Sequence, residues 1–181
     1  MSHEVIMAGF GGQGIMLMGQ LLAEAGMRSG MQVSWMPSYG PEMRGGTANC
    51  SVMISEVPIG NPVANVPSAA IVMNIQSYDK FEPRVVPGGV LLVNSSLVTK
   101  SSSRTNITQF LVPANEIASE IGDNRVANMV MLGAYLQASK AVSMEEVLKA
   151  LELRLPEHRR NLLPMNQQAL ERGMAIAAAQ Q

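Results

Sequence analysis

Cysteine and aromatic residues are scarce in this chain, and their scarcity excludes several kinds of site. The single cysteine, Cys50, leaves no pair for a disulfide within the 181 residues, which fits a reducing, cytoplasmic setting. One thiol also cannot hold an iron–sulfur cluster, since such clusters need about four thiolates. Because aromatic residues make up only 4% of the sequence, a base-stacking surface for nucleic acid is not expected.

Charge of both signs is low as well. Charged residues make up 15% of the chain and the formal net charge is -1, so no basic field is available to hold nucleic acid. The first residues carry no cationic segment, and the apolar stretch that follows them ends at Gly9. We therefore expect no secretory signal, no membrane span and no nucleic-acid partner.

Residues for acid–base and nucleophilic chemistry are equally few. The two histidines are His3, near the terminus, and His158, which neighbours two arginines, so neither a metal-ligating pair nor a histidine general base is predicted. No histidine or lysine flanks Cys50, and its apolar run predicts a buried side chain rather than a reactive thiol. No catalytic residue can be assigned, and the isolated chain is expected to be inactive.

Apolar residues are abundant at 47%, and their spacing predicts the elements. Strands are expected over residues 4–8, 32–36, 49–54, 69–74, 90–94 and 107–112. Helices are expected over residues 15–29, 78–81, 114–121, 126–140, 143 to about 153, and 164–179.

This order of elements predicts one α/β domain over residues 1–181, with a layered mixed sheet and helices on it. Its N-terminal part is a Rossmann-like strand–Gly loop–helix unit, which with the second strand should form a right-handed crossover. The helical part, about 114–181, either packs on the sheet or forms a separate lobe or an arm onto a partner.

The Gly loop has the spacing G-x-G-x-x-G in Gly9-Phe10-Gly11-Gly12-Gln13-Gly14. Between a strand and a helix, such a loop is suited to an anion, usually phosphate. A nicotinamide cofactor would need an acidic residue about 20 residues on, and the second strand carries none. A Walker A loop would need a lysine after its last glycine, and this chain has Ile15 there. Three interpretations stay open: an anion site, a standalone NAD(P)- or nucleotide-binding oxidoreductase, and glycines that only permit close packing.

A second block, Ser38-Tyr39-Gly40-Pro41-Glu42-Met43-Arg44-Gly45-Gly46, follows the second strand. Together with the Gly loop it resembles the gamma subunit of 2-oxoacid:ferredoxin oxidoreductases. Pro87-Gly88-Gly89, Val112-Pro113-Ala114 and the run from Asn128 to Ala134 are similar to that family too. The resemblance covers about residues 5–134 and is loose after about residue 140.

The resemblance implies a subunit of an enzyme that converts a 2-oxoacid and coenzyme A to an acyl-CoA and passes electrons to ferredoxin. Thiamine diphosphate, Mg and iron–sulfur clusters would lie on alpha, beta and possibly delta (ferredoxin-like) subunits, with none bound by this chain alone. This chain would form part of the composite active site and could contact CoA. The overall likeness favours 2-oxoglutarate, while pyruvate, branched 2-oxoacids such as ketoisovalerate, and indolepyruvate stay open. A non-catalytic assembly module is a further alternative.

The residues implied to lie near substrate or cofactor come from both glycine-rich blocks and one helix. They are Gly9, Gly11, Gly12, Gln13, Gly14, Tyr39, Gly40, Glu42, Arg44, Gly45, Gly46 and Asn128; no metal ligand is among them. Glu42 and Arg44 either reach an anionic ligand such as the CoA diphosphate or pair with each other or a partner. Gln13 is expected to contact a substrate, cofactor or partner backbone. A buried Asn128 must be paired, either with the Gly loop or at its own helix start.

Overall fold

The computed structural model describes residues 2–39, 47–61 and 66–181. These residues form six strands, β1 to β6, and six α-helices, α1 to α6. The strands are β1 Ser2–Phe10, β2 Gln32–Tyr39, β3 Thr47–Ser55, β4 Ala69–Val72, β5 Val90–Asn94 and β6 Thr108–Val112. The helices are α1 Ile15–Arg28, α2 Ile75–Phe81, α3 Ala114–Ile121, α4 Ala127–Ser139, α5 Met144–Arg154 and α6 Leu163–Ala178. Short 3-10 helices cover Glu82–Arg84, Asn124–Val126 and Glu157–Leu162.

All six strands lie in one mixed sheet with the order β2-β3-β1-β4-β5-β6. Strands β1, β4, β5 and β6 are parallel to one another, whereas β3 is antiparallel to both β1 and β2. The carboxyl ends of β1, β2, β4, β5 and β6 therefore meet at one edge of the sheet, together with the start of β3. The predicted α/β fold with a layered mixed sheet is confirmed.

The structure differs in one respect from the predicted crossover of β1, α1 and β2. In the sheet, β3 lies between β1 and β2. Cys50, Val52 and Ile54 of β3 have no exposed surface, so this strand belongs in the interior of the sheet. Strand β2 contains Pro37, which cannot donate to a ladder and suits an edge strand. Hydrophobic periodicity reports which residues are buried, not the order of strands, and could not reveal the insertion.

The two faces of the sheet pack against different helices. On one face, α1 and the C-terminal helices share a single apolar core with the strands, and Ala127 to Leu136 of α4 are all buried. On the other face, Tyr78 and Phe81 of α2 close a smaller core. The C-terminal helices therefore pack on the sheet and do not form a lobe of their own. Among the described segments, no helix combines the length and the apolar character needed to cross a membrane.

Several element boundaries differ from the sequence-based prediction. Helix α2 begins at Ile75 rather than at residue 78, and the preceding strand ends at Val72 rather than at residue 74. The side chain of Asn74 accepts a hydrogen bond from the Ser77 N–H at 2.8 Å, which makes it the N-cap of α2. Strand β2 continues to Tyr39, past the predicted end at residue 36, because pairing with β3 extends it.

Helices α4 and α6 approach each other through Gly133 and Gly173. A methyl group at Gly133 would overlap the Leu170 carbonyl oxygen, and one at Gly173 would overlap the Val130 carbonyl oxygen. Backbone atoms cannot move aside as flexible side chains do, so these two glycines fix the distance between the helices.

We predict that Gly133→Ala lowers the free energy of unfolding by about 1–3 kcal/mol, because the added methyl group forces α4 and α6 apart. Thermal denaturation should show a midpoint lowered by about 2–12 °C, since 1 kcal/mol shifts the midpoint of a chain of this size by roughly 2–4 °C. Gly60→Ala is the matched control, since nothing lies within 4 Å of a methyl group there. Equal midpoints for the two variants would contradict this account of the helix contact.

Cys50 provides a second prediction. Its side chain is buried in β3, and burial raises the pKa of the thiol to about 12, which confirms the expected buried residue. Since the thiolate is the reactive form, at pH 8 only about one thiol in ten thousand is ionised with such a pKa. We expect a disulfide reagent at pH 8 to leave Cys50 unmodified until denaturant unfolds the chain. Rapid labelling of the folded protein would show that this core opens.

Candidate functional site

The Gly loop connects β1 to α1 at the carboxyl edge of the sheet. Gly12 has φ 95° and Gly14 has φ 74°, which is the left-handed region that residues with a Cβ adopt only at a cost. Gly14 is the N-cap of α1 and has no side chain to cap it. The conformation of the loop therefore depends on glycine at both positions.

The side chain of Gln13 stabilises the conformation of this loop. Its Oε1 accepts a hydrogen bond from the Phe10 N–H at 2.6 Å, and its Nε2 donates to the Met73 carbonyl at 3.3 Å. A methyl group at Gly9 would lie 2.5 Å from Gln13 Oε1, so glycine there makes room for the amide. These bonds fasten the loop to the end of β4. A direct contact of Gln13 with a ligand or partner stays a prediction.

Asn128 joins the Gly loop to α4. The side chain is 4% exposed, its Nδ2 donates to the Gly14 carbonyl at 3.3 Å, and its Oδ1 accepts from the Met129 N–H at 2.9 Å. Both pairings considered from the sequence are thus present together. A methyl group at Gly14 would overlap Asn128 Nδ2, so loop and helix are in direct contact.

Several backbone N–H groups of the Gly loop and of the first turn of α1 have no hydrogen-bond acceptor among the described residues. No acceptor within residues 2–39, 47–61 and 66–181 is found for the N–H groups of Gly11, Gly12, Gly14, Ile15, Met16 and Leu17. The last three begin α1, a helix of 14 residues, whose N-terminus carries a partial positive charge. This arrangement is suited to a phosphate or carboxylate group.

Two depressions flank the loop. We call the first the helix-mouth pocket, of about 320 Å³, and the second the amide pocket, of about 250 Å³. The helix-mouth pocket is lined by Phe10, Gly11, Gly12, Gly14, Ile15, Met16, Leu17 and Ala48. The amide pocket is lined by Gly12, Gln13, Met73, Asn115, Asn124, Arg125, Ala127 and Asn128. Gly12 belongs to both, so a ligand lying across the loop would contact both.

The amide pocket contains residues that the sequence did not single out. Arg125 lies in the 3-10 helix that precedes α4, and Asn115 lies at the start of α3. Hydrogen bonds from the Arg125 side chain and backbone lower the pKa of the Asp123 carboxyl to about 2, so Asp123 is charged at neutral pH. The sequence feature that could have indicated these residues is the polar run Asp123-Asn124-Arg125 before an apolar helix. This feature does not show that the run lies beside the Gly loop.

The second glycine-rich block largely falls outside the described residues. Gly40, Glu42, Arg44, Gly45 and Gly46 all lie in that part, and their predicted roles stay predictions. Tyr39 ends β2, where its backbone pairs with Ala48, and Thr47 pairs with Phe10. The residues that flank the block are therefore at the same sheet edge as the Gly loop. Within the described segments, no cluster of three His, Cys, Asp or Glu side chains is placed to hold a metal ion.

Comparison with known proteins identifies the family. Residues 4–176 match the family of pyruvate ferredoxin/flavodoxin oxidoreductases. The chain is 37% identical over 182 residues to the 2-oxoglutarate synthase subunit KorC of Methanocaldococcus jannaschii, covering 98% of this chain and 95% of that subunit. It is 38% identical over 170 residues to the ketoisovalerate oxidoreductase subunit VorA of Methanothermobacter thermautotrophicus, covering 94% of this chain but only 35% of that subunit.

Solved structures agree with this result. The gamma subunit of a keto/oxoacid ferredoxin oxidoreductase from Geobacter sulfurreducens superposes with a TM-score of 0.83 at 34% identity, over 98% of this chain and 99% of that one. A 2-oxoglutarate:ferredoxin oxidoreductase from Magnetococcus marinus, solved with 2-oxoglutarate, coenzyme A and succinyl-CoA bound, shares the fold with a TM-score of 0.90. Its identity is 23%, over 98% of this chain and 31% of that one.

The chain belongs to the pyruvate ferredoxin/flavodoxin oxidoreductase family. Its relatives are subunits of 2-oxoacid oxidoreductases, and the resemblance to the gamma subunit is confirmed. Because both ketoisovalerate and 2-oxoglutarate enzymes occur among them, the family alone does not define the 2-oxoacid.

Two substitutions separate the conformational and the steric roles of the loop glycines. Gly12→Ala adds a methyl group in open space at positive φ, so we expect a loss of about 1–2 kcal/mol in unfolding free energy. Gly14→Ala adds the overlap with Asn128 and should cost about 1 kcal/mol more. Chemical denaturation of the full chain measures both.

The double variant Gly14→Ala/Asn128→Ala tests whether the overlap with Asn128 causes the additional cost of Gly14→Ala. Removing the Asn128 side chain removes the overlap, so the cost of Gly14→Ala in that background should fall to that of Gly12→Ala. An unchanged cost would mean that Gly14 is needed for its backbone conformation alone.

Proposed function

We propose that this chain is the gamma subunit of a 2-oxoglutarate:ferredoxin oxidoreductase complex and that its Gly-loop edge forms one wall of the composite active site. The observation that carries the proposal is the group of N–H donors at the Gly loop that have no acceptor among the described residues. They occur in a chain that corresponds to nearly the full length of a KorC subunit. We propose 2-oxoglutarate because the KorC subunit aligns over 95% of its own length at 37% identity, whereas the ketoisovalerate subunit VorA aligns over only 35% of its length.

The ligand proposed for this edge is coenzyme A. Its diphosphate and 3′-phosphate are the kind of anion that a helix N-terminus with free N–H groups binds. The Magnetococcus enzyme that shares the fold is solved with coenzyme A bound. When bound, coenzyme A supplies the thiol that accepts the acyl group, and the residues of the Gly loop would hold its phosphate end.

The remaining cofactors are proposed to lie on other chains. Within the described residues, the buried Cys50 is the free cysteine, and one thiol cannot support an iron–sulfur cluster. Among the residues that the structure describes, no acidic side chain lines the Gly-loop pockets to hold Mg and thiamine diphosphate. We therefore propose alpha, beta and possibly delta subunits as partners, ferredoxin as electron acceptor, and a cytoplasmic complex.

A standalone NAD(P)-binding oxidoreductase is less well supported. In a dinucleotide-binding fold, an acidic residue at the end of the strand beside β1 binds the ribose. The parallel neighbour of β1 here is β4, which is followed by Met73 and Asn74 rather than by an acid. Among the described residues, the proposed anion site thus lacks the second contact that a dinucleotide requires.

The proposal predicts how a negative charge on the Gly loop changes the KM for coenzyme A. Gly12 lines both pockets, faces open space and has positive φ, a conformation that Asn and Asp tolerate better than other residues. In the assembled complex, we expect Gly12→Asp to raise the KM for coenzyme A about tenfold or more, equivalent to about 1.4 kcal/mol of repulsion. The KM for the 2-oxoacid should change little.

Gly12→Asn is the matched control, since it has the same shape without the charge, and its KM for coenzyme A should stay near that of the wild type. The measurement is steady-state reduction of ferredoxin with varied coenzyme A. If the Asp and Asn variants behave alike, the loop does not bind an anion of this ligand.

A further inference from the structure

Part of one sheet face is left open by the helices of the described chain. Cys50 of β3 and Trp35 of β2 lie against Gly19 of α1. Because side chains alternate along a strand, Met36 and Ser51 point to the opposite face, where α2 packs mainly on β1 and β4. Five residues of β2 and β3 point this way and are at least partly exposed, and we call the surface they form the open face: Ser34, Met36, Ser38, Asn49 and Ser51.

The open face has the composition of a contact surface. Its side chains are neutral, and four of the five are short serine or asparagine residues, which allow another chain to approach the sheet closely. Met36 is 43% exposed in the middle of a paired strand, and methionine adapts its shape to a partner. A depression of about 310 Å³ separates the open face from the end of α2.

Two cations border this depression at the end of α2. Lys80 Nζ lies 5.1 Å and Arg84 Cζ lies 5.3 Å from the centroid of the Phe81 ring, and all three residues line the depression. Like charges four residues apart along a helix repel each other. No carboxylate lines the depression among the residues that the structure describes. The fold thus places positive charge beside a neutral surface, at a cost that a negatively charged partner would offset.

The acidic residues nearest to these cations in the sequence are bonded elsewhere. Asp79 pairs with Lys100 at 2.7 Å, and Glu82 accepts a hydrogen bond from the Ser102 hydroxyl. Within residues 2–39, 47–61 and 66–181, no hydrogen-bond or ion-pair acceptor is found for Lys80 Nζ. The Lys80 ammonium is therefore available to a carboxylate that this part of the chain does not supply.

We propose that the open face, with Lys80 and Arg84 at its border, is a docking surface for an acidic segment of a partner subunit. Charge complementarity identifies the occupant, because the border is cationic and the face itself is neutral. The proposal rests on the proposed function for the existence of partner subunits. The open face ends where Ser38 pairs with Asn49, next to the sheet edge at which the proposed function places the other chains.

Cross-linking of the assembled complex with a carbodiimide tests the contact directly, because this reagent joins a lysine to a carboxylate at ion-pair distance. We expect mass spectrometry to find Lys80 coupled to an Asp or Glu of a partner subunit. The Lys100–Asp79 pair, 2.7 Å apart, is the internal control and should be coupled within the chain. If this control link forms and Lys80 is uncoupled, or coupled only within its own chain, the proposal is overturned.

The affinity of the full chain for the remaining subunits gives a second readout. Lys80→Glu should raise the Kd about tenfold or more, since it brings two negative charges together at the contact. Lys80→Arg keeps the charge and should keep the affinity. Lys140→Glu is the matched control, because Lys140 is also exposed, lies at the end of α4 and does not line the depression. Equal effects of the two charge reversals would indicate a response to net charge and contradict the docking surface.

Met36 provides a readout that needs no substitution. In the isolated chain, hydrogen peroxide should oxidise both Met36 and Met27, which are 43% and 60% exposed. In the complex, we expect the oxidation of Met36 to slow about tenfold because the partner covers it. An unchanged rate for Met36 would show that the open face stays uncovered.

The outcomes separate this inference from the proposed function. If no partner subunit is recovered with the chain from its native cells, the proposed function itself fails. If the complex is recovered but Lys80→Glu leaves its Kd unchanged, the docking surface is wrong and the proposed function stands. If inorganic phosphate binds the isolated wild-type chain but not Lys80→Glu, and the affinity for the subunits is unchanged, the depression is a small-anion site and protein docking is overturned.

Discussion

The hydrogen bond from Asn128 Nδ2 to the Gly14 carbonyl connects parts of the chain that are 114 residues apart. It fixes where the N-terminal Gly loop lies relative to α4. Since Arg125 is in the turn that leads into α4, the same contact brings the guanidinium beside the loop. Asn128 is buried, and a buried amide without partners is costly, so the bond also favours this one arrangement. Both pockets of the candidate site depend on it.

Around this bond, the loop glycines serve different physical purposes. Gly12 and Gly14 permit a backbone conformation, whereas Gly9 leaves space for the amide of Gln13. The side chain of Gln13 accepts from the Phe10 N–H, and its own N–H donates to the Phe10 carbonyl at 3.2 Å. Among the described residues, no acceptor is found for the N–H groups of Gly11, Gly12 and Gly14. The pattern G-x-G-x-x-G therefore does not define one ligand. What it defines here is a braced loop whose donors point outward at the carboxyl edge of the sheet.

The sequence predicted the elements and the Gly loop well because both follow from local signals, namely apolar periodicity and glycine spacing. It did not predict the position of β3 between β1 and β2, since strand order depends on which buried strand best fills the interior. The pairing of Asn128 with the loop was one of two alternatives drawn from its burial. Arg125 and Asn115 were not predicted to be site residues. They line a pocket with Gly12 because of the path that the chain takes after β6, and no local sequence pattern indicates that path.

The chemistry of the described site residues also bears on the proposed role of this chain as one subunit of a complex. Backbone N–H groups, side-chain amides and a guanidinium can bind and orient an anion, but none of them is a good acid, base or nucleophile near neutral pH. The Asp123 carboxylate is hydrogen-bonded to Arg125, a residue of the amide pocket, and burial keeps the Cys50 thiol protonated. Among the residues that the structure describes, the two pockets therefore offer hydrogen-bond donors and no acid, base or nucleophile of their own. These described donors are therefore suited to binding an anionic group, which is the role proposed for the Gly-loop edge.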